Sequence, residues 1–125
     1  MSFQSKYEAK MSPEVRIDVE NQIIALSGAS YPEDPLEVFN PIYKWVVDFS
    51  MNMEKKLCFI LNFEFLNSSS HKMLYEIFVK AQEFSKKGKP VEILWYYDPE
   101  DEEIFEMGQD FMEVLELPIQ LIPKE

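Results

Sequence analysis

Lys56–Ala81, KLCFILNFEFLNSSSHKMLYEIFVKA, holds the two periodicities that decide the fold. In its first half Leu57, Phe59, Leu61, Phe63 and Phe65 fall on one apolar face of a strand. On the other face Cys58, Ile60, Asn62 and Glu64 turn polar toward the C-terminal end. In the second half Met73, Leu74, Ile77, Phe78 and Ala81, continued by Phe84, recur at helical spacing, and Lys72, Glu76 and Lys80 follow at intervals of four on the solvent side. The spacing predicts a helix over about 69–87, closed by Gly88 as a left-handed cap. A strand thus passes directly into a helix at Asn67, Ser68, Ser69 and Ser70.

Working outward, Val15–Val19 alternates and is followed closely by the apolar run Ile23–Gly28, which predicts a hairpin. Asp34, Pro35 and Glu37 form the pattern of a capping box with proline at the first helical position, opening a helix to about Met51. Pro90–Tyr97 reads as a strand. Asp98 and Pro99 repeat the cap-plus-proline start for a helix to about Leu115, and Ile119–Ile122 reads as a last short strand. The order β-β-α-β-α-β-α-β predicts an α/β single domain with a mixed, mainly parallel sheet of about five strands, because strand-helix alternation requires right-handed crossovers. Two central strands are polar on one face, so the helices are expected mostly on the other. Residues 1–12 lack periodicity and read as a flexible arm, with the domain over 13–125.

The chain has 125 residues and a formal net charge of -11. A surface this acidic repels a phosphate backbone and argues against nucleic-acid binding. The longest apolar runs are far short of the roughly 20 residues that span a bilayer. No basic-then-apolar leader opens the sequence, so the expected location is cytoplasmic, without membrane contact. Cys58 and His71 are each the only residue of their kind, which leaves no disulfide framework or cysteine metal site within one chain and removes most histidine-rich metal sites. The acidic run Glu100–Glu103 suits the positive end of a helix better than a metal, and no cofactor is expected.

The serine run sits where open α/β sheets gather ligands and chemistry, at the carboxyl end of a central strand. One reading is structural: Asn67, Ser68 or Ser69 caps the helix, a contribution of roughly 1 kcal/mol. Another is phosphorylation, since a phosphoryl group there faces unpaired amides and adds about two negative charges to a surface that meets a partner. A nucleophilic serine is the weakest reading. Ser68 and His71 are three apart, but no G-x-S-x-G elbow surrounds them, no second histidine exists, and no Gly-rich phosphate loop is present. No enzyme is expected.

The tetrad between third strand and second helix resembles the STAS domains of anti-sigma factor antagonists, where DSSG stands at this position and NSSS stands here. Four marks in order resemble the SiaC family of bacterial regulatory phosphoproteins more closely: SYPE (Ser30–Glu33), LN followed by three hydroxyl residues (Leu66–Ser70), GKP (Gly88–Pro90), and the spaced Trp95, Tyr97 and Asp98. The resemblance covers most of the chain from about Val15. It implies a partner-switching protein that a kinase phosphorylates and a PP2C-type phosphatase restores. In the family the unphosphorylated form binds and activates a diguanylate cyclase, which raises cyclic di-GMP and promotes biofilm. Carried over by position the acceptor is Ser68, with Ser69 the alternative in the broader STAS register. Asn67, Ser70, Tyr31 and Glu33 are then adjacent to the switch.

Two further surfaces follow from the residues. The first helix carries one stripe of Leu36, Phe39, Tyr43, Val46 and Val47 and a second of Val38, Ile42, Trp45 and Phe49. The second stripe is either covered by the hairpin, the third helix or the N-terminal arm, or is a partner-docking face anchored by Trp45. A different class of function, a STAS-type module for a nucleotide or lipid, predicts a concave apolar pocket near Asn62, Glu64 and Tyr96.

Overall fold

The computed structural model describes residues 12–125. The arm expected over residues 1–12 therefore lies, apart from Ser12, outside the described residues. The elements are β1 (Glu14–Asp18), β2 (Ile23–Ser30), α1 (Pro35–Phe49), β3 (Leu57–Leu66), α2 (Ser68–Lys86), β4 (Val91–Tyr97), α3 (Glu102–Val114) and β5 (Ile119–Pro123). The five strands lie in the sheet in chain order. β1 pairs antiparallel with β2, and every later neighbour is parallel. Three right-handed crossovers that advance in one direction must all pass over one face, so the three helices share a side of the sheet.

The core lies between that face and the helices. Ile24, Leu26, Leu57, Phe59, Leu61, Ile93 and Trp95 supply the sheet side, and Phe39, Ile42, Val46, Leu74, Phe78 and Phe111 the helix side. Its centre is aromatic: Phe78 stands edge-on to Phe59 at 5.2 Å and to Phe111 at 5.1 Å, and Phe111 meets Trp95 at 5.5 Å. Such edge-to-face pairs add roughly 0.5–1.5 kcal/mol each beyond the area they bury. Cys58, Ile60 and Asn62 point to the opposite face and are half-exposed.

The alternation of β3 does not run to its end. Gly28 pairs with Phe63, but the next residue, Ala29, pairs with Phe65, which leaves Glu64 as an extra residue in a bulge. A bulge shifts the pleat by one residue. Phe65, expected on the apolar face, is 44% exposed, and Leu66 takes the inward position at 2%. Gly28, with φ +88, supplies the left-handed backbone on the partner strand.

Three helix details differ from expectation. Asp34 stands at the N-cap of α1 with Pro35 behind it, but its side chain makes no capping bond; Glu37 N–H donates to the Asp34 carbonyl at 3.2 Å instead. The cap of α3 is Asp101 rather than Asp98. Asp98 is used in the preceding turn, where its Oδ1 accepts from Glu100 N–H at 2.9 Å, and Asp101 Oδ1 accepts from Ile104 N–H at 3.1 Å. The stripe Val38, Ile42, Trp45 and Phe49 is not a free face. α1 points the boundary between its two stripes at the core, so Phe39, Ile42, Val46 and Phe49 are buried together. Val38 and Trp45 flank them half-buried, and Trp45 packs on Phe49 at 5.4 Å. The side of α1 left in solvent carries Leu36, at 58% exposure.

Candidate functional site at the exit of β3

The turn from β3 into α2 is assembled from four residues with separate tasks. Asn67, with φ -76 and ψ 170, is the N-cap, and its Oδ1 accepts from Ser70 N–H at 2.9 Å. His71 N–H donates to the Asn67 carbonyl at 2.9 Å, the first helical bond. Ser70 is wholly buried. Its Oγ donates to the Ser30 carbonyl at 3.2 Å and accepts from Ser30 Oγ at 2.9 Å. Ser68 and Ser69, at the first two helical positions, are exposed. Of the three residues weighed as the cap, Asn67 is the one used.

The SYPE loop lies at the same edge. Ser30 closes β2, is as buried as Ser70, and accepts Asn67 N–H on its carbonyl at 2.9 Å. Tyr31 is half-buried, its ring edge-on to Phe65 with centroids 5.4 Å apart. Pro32 is buried and Glu33 exposed. The geometry thus unites Asn67, Ser68, Ser69, Ser70 and Tyr31, with Glu33 further along the loop. The α1 residues Val38, Ile42, Trp45 and Phe49 take no part. Sequence reasoning did not single out Ser30, although it continues the inward parity of Ile24, Leu26 and Gly28 on β2.

His71 follows the serines in the first turn of α2. It is half-buried and stacked on Phe111, with centroids 4.7 Å apart and rings 14° from parallel. Burial pushes its pKa below the ordinary value, and the Asp110 carboxylate opposes that shift. The ring is committed to packing against α3.

Below this edge, on the face without helices, lies an open groove of about 1000 Å³ lined by Asn62, Tyr31 and the carboxylates of Glu14, Glu64, Asp98 and Asp101, among others. The Asn62 Oδ1 is buried and unpartnered. The pocket expected for a small ligand was apolar and included Tyr96. This groove is mixed in polarity, sets four carboxylates against the single ammonium of Lys124, and lacks Tyr96, so its net charge is unfavourable for a phosphate-bearing nucleotide or lipid headgroup. Among the described residues no helix is long and apolar enough to cross a membrane.

A five-stranded mixed sheet with helices on one face, and a capped turn that presents two exposed hydroxyls at a parallel strand's carboxyl end, define a single α/β domain with its candidate site at one sheet edge. The sequence profile of the SiaC family of regulatory phosphoproteins matches residues 7–124, and the chain belongs to that family. An uncharacterized protein of Pseudomonas aeruginosa is 29% identical over 110 residues, spanning 88% of this chain and 87% of its own. Among solved structures, a chain in the crystal structure of the Pseudomonas aeruginosa diguanylate cyclase SiaD in complex with its activator SiaC superposes with a TM-score of 0.87. It is 28% identical, and the match covers 92% of this chain and 94% of that one. The crystal structure of apo-SiaC from the same organism gives 0.84 at 27% identity, covering 90% and 92%.

Proposed function

We propose that this chain is a non-catalytic partner-switching protein of the cytoplasm whose unmodified form binds and activates a diguanylate cyclase. A partner kinase turns the switch off by phosphorylating Ser68, with Ser69 the alternative acceptor, and a PP2C-type phosphatase turns it on again. The reading takes its target from the family: the SiaC of Pseudomonas aeruginosa is the activator of the cyclase SiaD. The observation that carries the site is the division of labour at 67–70. Asn67 fills the cap and Ser70 is buried, so Ser68 and Ser69 are two exposed hydroxyls with no capping duty. A phosphoryl group on either meets the positive end of α2 and amides of its first turn, so it is held at little structural cost.

The test is incubation with the partner kinase and ATP, followed by site mapping by mass spectrometry and a cyclase assay on both forms. Phosphate on Ser68 and loss of cyclase stimulation in the modified form are expected. Phosphate confined to residues away from 67–70 would sink the site assignment. Failure of the unmodified protein to stimulate the cyclase would sink the target.

A further inference from the structure

Ser30 and Ser70 are the only serines of the described residues that are 0% exposed, and they are bonded to each other. Hydroxyls withdrawn from water are unfavourable unless they are paired, and a closed polar network specifies one arrangement of the groups around it. This network closes completely. Ser30 Oγ donates to Ser70 Oγ, Ser70 Oγ donates to the Ser30 carbonyl, and that carbonyl also receives Asn67 N–H. Ser70 N–H returns to Asn67 Oδ1. Two of the fixed points of the acceptor turn therefore lead to one residue of β2. The bulge at Glu64 serves the same end, because it sets Leu66 opposite Ser30 and brings Asn67 within reach of the Ser30 carbonyl.

We infer that Ser30 and Ser70 are positioning residues of the switch: their interior bond locks the first turn of α2 to β2 and so decides which of Ser68 and Ser69 is phosphorylated. The inference rests on the phospho-switch reading above. Successive helical residues point about 100° apart, so the two exposed hydroxyls leave the helix in different directions. Phosphoryl transfer needs one of them in line with ATP. The Oγ–P bond forms at that serine, the bond from the γ-phosphorus to its bridging oxygen breaks, ADP leaves, and the hydroxyl proton passes to the kinase's base. A kinase that reads direction distinguishes neighbouring serines only while the turn holds one orientation.

The experiment phosphorylates the wild type, Ser70→Ala and Ser30→Ala with the partner kinase and ATP and measures the ratio of phosphate on Ser68 to phosphate on Ser69. Amide hydrogen exchange over 67–71 is recorded on the same unmodified samples. The Ser70 hydroxyl makes two hydrogen bonds, worth together roughly 30-fold in the population of the ordered turn. The wild type is expected to prefer Ser68 by at least about tenfold, and the variants to fall within about twofold while remaining folded. Ser70→Cys, which keeps the volume and a weak donor, is expected between them and serves if an alanine variant does not fold. Faster exchange at 67–71 with an unchanged ratio overturns the inference, as does an unchanged exchange rate. Phosphate on neither serine of the wild type overturns the phospho-switch reading itself, an outcome distinct from a modified Ser68 whose selection is indifferent to Ser70.

Discussion

The ammonium of Lys89, a residue only 1% exposed, lies 2.9 Å from the side-chain oxygen of Gln22, and no carboxylate among the described residues pairs with it. Its other two protons go to the carbonyls of Asn52 and Lys55, each at 2.8 Å. The end of α2 delivers it there. Gly88, at φ +111, closes a turn in which Lys89 N–H donates to the Phe84 carbonyl at 3.1 Å and Gly88 N–H to that of Ser85 at 3.0 Å, the pattern of a Schellman motif. One cation thereby ties the connections that precede β2, β3 and β4. Burial pushes its pKa down, while three acceptors favour keeping the proton. Lys89→Met keeps the stem and removes the donors, leaving three oxygens short of partners. We expect a loss of about 2–4 kcal/mol, read as a lower urea midpoint at unchanged m-value; a midpoint equal to the wild type's would mean that water replaces the ammonium.

Gly108, inside α3, faces Trp95 so closely that a Cβ there would stand 2.7 Å from Cδ1 and 2.9 Å from Nε1 of the indole, and 2.6 Å from Leu121 Cδ2. The indole N–H donates to the Ile104 carbonyl at 3.0 Å, which fixes the ring against the helix. Leu121 can turn aside, but the fused ring cannot. Gly108→Ala gains roughly 1 kcal/mol of helix propensity and loses about 1–3 kcal/mol to overpacking. The balance is a destabilisation of up to about 2 kcal/mol, to be measured by thermal unfolding with tryptophan emission as the local probe. A stabilised variant would show that α3 can move off the sheet.

Most of the architecture is legible in the sequence because its signals are local. The alternation in β3, the hairpin, the stripe of α2 and the Schellman glycine each follow from residues a few positions apart. What escapes depends on pairing across the chain. Nothing in FEFL marks Glu64 as a bulge until Gly28 and Ala29 are set beside it. Asp98 with Pro99 behind it reads as the cap of α3, but the preceding turn takes its carboxylate for Glu100 N–H and Asp101 caps the helix instead. The two stripes of α1 look like a core face and a spare face, yet the core direction bisects them. Ser30 has the right parity for the interior, but its meaning comes from Ser70, forty residues on. Lys89 breaks the general rule that lysines stay outside.

His71 gives a pH dependence with a definite sign. Burial against Phe111 lowers the folded pKa below 6.5, so between that folded value and 6.5 the unfolded chain binds more protons than the folded one. Stability is complete above the unfolded pKa and falls as pH drops through the folded one. His71→Phe keeps a ring for stacking and removes the titration. Thermal midpoints between pH 7.5 and 5 should fall more steeply for the wild type than for His71→Phe. Parallel profiles would show that Asp110 compensates fully for the burial.

The bulge predicts unequal responses from two adjacent residues. Leu66 is core, and Leu66→Ala should cost about 2–4 kcal/mol through lost burial and the cavity left behind. Phe65 is 44% exposed and meets Tyr31 edge-on at the surface, so Phe65→Ala should cost less, about 1–2 kcal/mol. Uninterrupted alternation from Leu57 would reverse the order. Chemical denaturation of the two variants therefore reads the phase of β3 directly.

Ser68→Asp tests whether the switch acts through charge. At the first position of α2 a carboxylate faces the positive helix end, which favours it by roughly 0.3–1 kcal/mol, and it disturbs neither the Asn67 cap nor the buried Ser70. The melting temperature should stay within about 4 °C of the wild type's. Affinity for the cyclase should drop by about tenfold or more, because a charge buried at an interface without a partner is strongly unfavourable. Ser68→Ala, which removes the hydroxyl but adds no charge, should bind like the wild type and resist the kinase. Equal weakening by Asp and Ala would mean that the hydroxyl itself makes the contact, and the phosphate would then act by removing a hydrogen bond rather than by adding charge.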